Sequence, residues 1–152
     1  MMPKSLTVAL VCALLAAPAS AASPAPVKDV VITANDQMKF GVTRIDAQPG
    51  QSIHVQLKND GTLPKEVMGH NWILLKAGRD PSAYANAAMT AGKEGYQPKA
   101  LADQVLASIP LLGAKHAGDV TFNAPEVPGT YAFLCSFPAH CQAGMRGELI
   151  VK

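Results

Sequence analysis

The sequence predicts an all-β domain: a Greek-key β-sandwich with one short, partly helical insertion. Two observations carry that expectation. Apolar and polar residues alternate in brief runs, the pattern of strands with one buried and one wet face. Gly, Pro, Asn and Asp punctuate those runs at short intervals, as in sandwiches and barrels. At 152 residues the chain is about one domain long and has enough length to bury a real core.

The chain opens outside that domain. Lys4 supplies a positive n-region, Leu6 to Ala17 is apolar, and Ala19-Ser20-Ala21 offers a small-x-small cleavage site. That order is a secretory signal peptide over residues 1–21. The apolar run is too short to span a bilayer, which needs about 20 residues. Val11 stands where a lipoprotein anchor at Cys12 would want a small residue. Residues 22–29 read as a flexible lead-in and residues 30–152 as the domain. With Lys4 gone from 13 basic side chains, 12 face 11 acidic ones, a net charge of +1. That balance excludes nucleic acid as a partner, and no polybasic run marks a membrane surface. The expected mature form is a monomer, exported to the periplasm.

Taken in order, Val30 to Thr33 is the first strand. In Ser52 to Lys58, Ile53, Val55 and Leu57 alternate with His54, Gln56 and Lys58, and Asn59-Asp60-Gly61 closes the strand with turn chemistry. Trp72 to Leu75 reads as a mostly buried strand. Asp80-Pro81-Ser82 caps a short helix through Met89, with Gly92 as its stop. Leu101 to Ala107 fits a helical turn or a strand equally. Asp119 to Asn123, Tyr131 to Cys135 and Glu148 to Val151 are the remaining strands. Pro125, Pro128-Gly129 and Gly144 to Gly147 punctuate them.

The chemistry concentrates near the C-terminus, in Cys135-Ser-Phe-Pro-Ala-His140-Cys141-Gln-Ala-Gly-Met145. A strand delivers Cys135 to a loop that returns His140 and Met145 before the last strand. A thiolate, an imidazole and a thioether from one loop suit copper, and a His2Cys set with a distant Met marks electron-transfer copper. The second histidine must come from elsewhere. His54 lies on the wet face of its strand and His116 sits in a Gly-bounded turn, which leaves His70 at a loop-to-strand junction.

These segments resemble azurin. Asn35 to Phe40, Lys65 to Trp72 and Cys135 to Val151 are similar to that family's signature stretches, in the same order and at fitting spacings, and the resemblance covers roughly Val30 to Lys152. It implies a cupredoxin fold and one bound copper ion per chain. His70, Cys135 and His140 would be the close ligands, with Met145 as a weak axial contact and the Gly69 carbonyl as a distant one opposite. Asn71 would pin the two ligand loops together. Three departures stand out. Four residues separate His140 from Met145 where azurins usually have three, a spacing closer to auracyanin-like relatives. Val27 to Val55 holds no cysteine for the usual early disulfide, and the family's buried titrating histidine is replaced by Asn59.

The resemblance implies an electron carrier and not an enzyme, since no histidine pairs remain for a second metal centre. A copper storage or delivery protein is the alternative, although such proteins favour open, Met-rich ligands. Met38, Met68, Phe137, Pro138 and Ala139 either pack on one another or form an exposed apolar patch around His140 where a redox partner docks. Two cysteines in an exported protein pair by default. Here Cys135 is needed by the metal, so Cys141 would be left free until the metal is lost. Metal-free protein in air is then expected to form a Cys135–Cys141 disulfide.

Overall fold

Period-two patterning dictates most of the architecture. A computed structural model describes residues 26–152, so the signal peptide expected at residues 1–21 lies outside the described residues. Among the described residues there are nine strands: β1 (Lys28–Asn35), β2 (Lys39–Phe40), β3 (Arg44–Ala47), β4 (Ser52–Asn59), β5 (His70–Leu75), β6 (Val105–Leu112), β7 (Ala117–Asn123), β8 (Gly129–Leu134) and β9 (Arg146–Val151). They form two sheets, ordered β2-β1-β4-β7 and β3-β9-β8-β5-β6. The β1–β4 and β3–β9 pairs are parallel and the others antiparallel. This is the all-β sandwich that the alternation predicts.

In β4, Ile53, Val55 and Leu57 are fully buried while His54, Gln56 and Lys58 face out, as their spacing requires. Facing them across the sandwich are Trp72, Leu74, Phe133 and Leu149. β1 begins two residues ahead of the expected Val30, because Lys28 and Asp29 already pair with Ile53 and His54. The lead-in is shorter than expected by those two residues.

Every residue of β5 is buried. Its alternation is masked because both faces of the strand are covered. Trp72 and Leu74 join the core between the sheets. Ile73 and Leu75 join a second cluster with Leu134, Tyr84, Ala85, Ala88 and Cys141, under the insertion. A continuous apolar run is what such a strand looks like in sequence.

Helix α1 (Lys65–Met68) leads into β5, and α2 (Pro81–Ala88) opens the insertion. Asp80 caps α2, its carboxylate accepting from the Ser82 N–H at 2.8 Å, with Pro81 in the first helical position. The helix stops at Ala88, short of the expected Gly92, which instead begins a 3-10 turn over Gly92–Glu94. The ambiguous Leu101 to Ala107 stretch resolves into both readings: a 3-10 helix over Lys99–Gln104 running into β6. β6 extends on through Pro110, which an edge strand tolerates.

Strand directions bring the ends of β1, β4, β6 and β8 and the starts of β5, β7 and β9 to one end of the sandwich. The loops that carry the candidate ligands meet there.

Candidate metal centre

His70 is the first residue of β5. The chain reaches it through α1 and Gly69, where a side chain would meet the Lys65 carbonyl at 2.6 Å and Leu111 at 3.0 Å. Glycine lets helix and strand approach this closely. The pairing of β5 with β6 slips between His70–Leu112 and Trp72–Ile109, a bulge in β6 where Pro110 and Leu111 lie opposite Asn71. Bulges of this kind re-aim side chains beside functional sites, and here His70 and Asn71 are both fully buried.

Cys135 follows the end of β8, and its N–H donates to the Met145 carbonyl at 3.0 Å. Between them the loop makes a short helical turn. The Met145 N–H donates to the His140 carbonyl at 2.9 Å and the Gly144 N–H to the Cys141 carbonyl at 3.0 Å, with Gly144 at φ 95°. These two bonds are a Schellman closure, which brings the residue after the glycine back beside the residue five positions earlier. The four-residue spacing that looked irregular is the length this closure needs. It returns Met145, fully buried, to the cluster that holds Cys135. Lys39 steadies the turn, its Nζ donating to the Ala143 carbonyl at 3.0 Å.

The result is a tight group of donors. His70 Nδ1 and His140 Nδ1 lie 3.2 Å apart, and Cys135 Sγ is 3.5 Å from His140 Nδ1. All three donor atoms fall within 4.8 Å of one another, and all three residues are buried. The His70 Nε2 is buried and has no hydrogen-bond partner among the described residues. Burial lowers the pKa of His70, and it pushes His140 down to about 4 with help from the neighbouring His70. Both imidazoles therefore stay neutral, the form that binds a metal. Burial pushes the Cys135 thiol up to about 12, although the N–H groups of Asn71 and Phe137 favour its anion. A cation at this point would supply the missing charge, and the mixed-softness donor set fits copper.

Behind the donors, Asn71 and Ser136 bind each other twice: the Ser136 N–H donates to Asn71 Oδ1 at 2.8 Å, and Asn71 Nδ2 donates to Ser136 Oγ at 2.8 Å. The loop carrying His70 is thereby fastened to the loop carrying Cys135, the connection that the resemblance implied for Asn71. Ser136 was not anticipated. Its position directly after Cys135 was the only available signal.

Of the proposed partner patch, Ala139 is exposed and Met38, Met68 and Pro138 are partly buried. Phe137 is a correction. At 7% exposure it belongs to the core, its ring 4.7 Å from that of His140 and 5.0 Å from that of Tyr96. The exposed apolar side chains near His70 are instead Leu63 and Val67, which sit before and within α1. His54 and His116 are apart from the centre, bonded to Asp29 and to the Ala114 carbonyl. Cys135 and Cys141 are both free, and they lie in different packed clusters.

Residues 27–152 match the family of copper binding proteins of the plastocyanin/azurin type. Azurin of Pseudomonas fluorescens biotype A is 37% identical over 126 residues, covering 81% of this chain and 97% of that protein. Auracyanin-A of Chloroflexus aurantiacus is 32% identical over 128 residues, covering 84% of this chain and 75% of that protein. The solved structure of auracyanin A, a "blue" copper protein from the same bacterium, superposes with a TM-score of 0.73 at 31% identity, over 84% of this chain and all of that one. Reduced auracyanin from Roseiflexus castenholzii gives 0.73 at 31% identity, covering 82% of this chain and 97% of that one. The chain belongs to the plastocyanin/azurin family, and it is a blue copper protein with a cupredoxin fold.

Proposed function

We propose that this chain is a one-electron carrier of an export compartment. His70 Nδ1, His140 Nδ1 and Cys135 Sγ would hold the copper, with the Met145 thioether and the Gly69 carbonyl as further, weaker contacts. The single observation that carries this reading is the convergence of two neutral imidazoles and one thiol inside 4.8 Å, all buried. Bound copper supplies the one-electron couple between Cu(I) and Cu(II).

The protein keeps the ligands in one arrangement for both oxidation states. His70 is fixed by the strand that follows it, Cys135 by its N–H bond to Met145, and the two loops by the Asn71–Ser136 pair. Groups that do not move on electron transfer keep the reorganisation small. A storage or delivery protein exchanges its metal with a partner and needs accessible ligands, whereas His140, the most exposed of the three, is 2% accessible. Export rests on the signal-like residues 1–21, and a protein partner would dock over Met38, Met68, Pro138 and Ala139.

Visible absorption during a redox titration of the copper-loaded protein tests the reading. An intense blue thiolate–copper band that bleaches on reduction and returns on oxidation is expected, and Cys135→Ser should abolish it. A loaded protein without that band, or a band that survives Cys135→Ser, overturns the assignment.

A further inference from the structure

The insertion meets the residues behind the metal centre at Gly95 and Tyr96. Tyr96 follows the 3-10 turn at Gly92–Glu94, and it packs against both the core between the sheets and the cluster under the insertion. Its backbone has φ 60°, next to Gly95 at φ 64°. A bulky residue in that region is a genuine outlier, and such strain persists only where the surroundings over-determine it.

Two sets of contacts hold it there. The Tyr96 carbonyl accepts a short hydrogen bond from Ser136 Oγ, and the Gly95 carbonyl accepts from Asn71 Nδ2 at 3.3 Å. Both donors belong to the pair that joins the ligand loops. The Tyr96 ring stands edge-on to Phe137, centroids 5.0 Å apart at 64°, and Phe137 in turn packs on the imidazole of His140 at 4.7 Å. Contact thus runs without a gap from the insertion to a metal-binding imidazole, through one aromatic ring.

We infer that Tyr96 is a positioning residue of the copper centre: its ring clamps Phe137 over His140 and keeps water from that side of the imidazole. The inference rests on the ligand set proposed above. An apolar shell around a metal controls solvent access and local polarity, and through them the potential. The oxidised centre carries one more positive charge than the reduced one, so polar surroundings favour it. Removing the ring uncovers Phe137, admits water near His140 and lowers the potential. The carbonyl that Ser136 uses is backbone and survives substitution, so ring and tether separate cleanly.

The experiment compares wild type, Tyr96→Phe, Tyr96→Ala and Tyr96→Gly as full copper-loaded chains, reading reduction potential and visible spectrum. Glycine adopts φ 60° without strain, so Tyr96→Gly serves if the alanine variant folds poorly. Tyr96→Phe is expected to match wild type. The alanine and glycine variants are expected to shift the copper preference toward the oxidised ion by about threefold to tenfold, tenfold being about 59 mV. In metal-free protein the same variants should move the ring-proton NMR signals of His140, with Tyr96→Phe leaving them in place. This arm reads the clamp without copper, so it separates failure of the clamp from failure of the ligand assignment. Wild-type potentials and His140 signals in Tyr96→Ala and Tyr96→Gly, or equal shifts in Tyr96→Phe, would overturn the inference.

Discussion

Burial decides what each imidazole of this chain does. His70 and His140 are held neutral inside the protein, whereas His54 lies on the outer face of β4 between two carboxylates. Its Nδ1 is 2.9 Å from Asp29 and its Nε2 3.4 Å from Asp119, which ties β1 and β7 across the strand between them. The Asp29 hydrogen bond, partly opposed by desolvation, raises the His54 pKa above 6.5, with Asp119 adding to the rise. A raised folded-state pKa means the contribution to stability is full below the unfolded value of about 6.5 and fades as pH climbs through the folded one. The urea midpoint of wild type should therefore exceed that of His54→Gln at pH 5.5, and the gap should close by pH 8.5. A gap that is constant or grows with pH would show that the charged pairing contributes nothing. Met145 is read by potential. Replacing its thioether with an apolar group removes a donor that favours the oxidised ion, so Met145→Leu should keep the blue colour and raise the potential. An unchanged potential would place the axial contact elsewhere.

Among the elements, the short turn between His140 and Met145 has the clearest consequence. Its closure needs a residue at φ 95°, and Gly144 provides it. A side chain there also meets Lys39 Nζ at 3.4 Å, the amine that holds the Ala143 carbonyl. Gly144→Ala is expected to cost about 1–2 kcal/mol of stability, the usual penalty for an L-residue in left-handed backbone. The measurement is the denaturant midpoint of the metal-free protein, with the visible spectrum of the loaded form as a second reading. Because the turn delivers Met145, the spectrum should change as well. Loss of stability with no spectral change would mean that the turn does not set the axial position. Beside the other loop, Pro110 and Leu111 of β6 bulge opposite Asn71, where His70 and Asn71 are both fully buried.

At the scale of the molecule, the alternating strands and the loops bearing the candidate ligands were legible because each rests on local chemistry: period-two burial in β4, turn residues after it, donors of matched softness in one loop. What stayed hidden depends on distant partners. β2 and β3 are two and four residues long, too short to show a period. Phe137 looks like a surface residue until Tyr96 covers it, and Tyr96 arrives from an insertion whose course no local pattern records. The packing opposes the expected Cys135–Cys141 disulfide for a related reason. Leu134 belongs to the cluster under α2 and Cys135 to the core between the sheets, so consecutive side chains leave β8 on opposite faces. Cys141 packs with Leu134, Ile73 and Tyr84, on the α2 side. Pairing the two thiols would pull Cys141 out of that cluster or Cys135 out of the centre. Neither cluster depends on the metal for its packing, so copper removal should leave the far-ultraviolet circular dichroism and the wavelength of the Trp72 emission unchanged. Stability should fall only by the binding term, about 2.7 kcal/mol for copper held at one hundred times its Kd. Metal-free protein aged in air should then keep both thiols: alkylation after unfolding adds two labels, and the mass before it equals the reduced chain. A monomer lighter by the two hydrogens of a disulfide, and unable to take up copper until reduced, would show that the loop leaves the α2 cluster when the metal is gone.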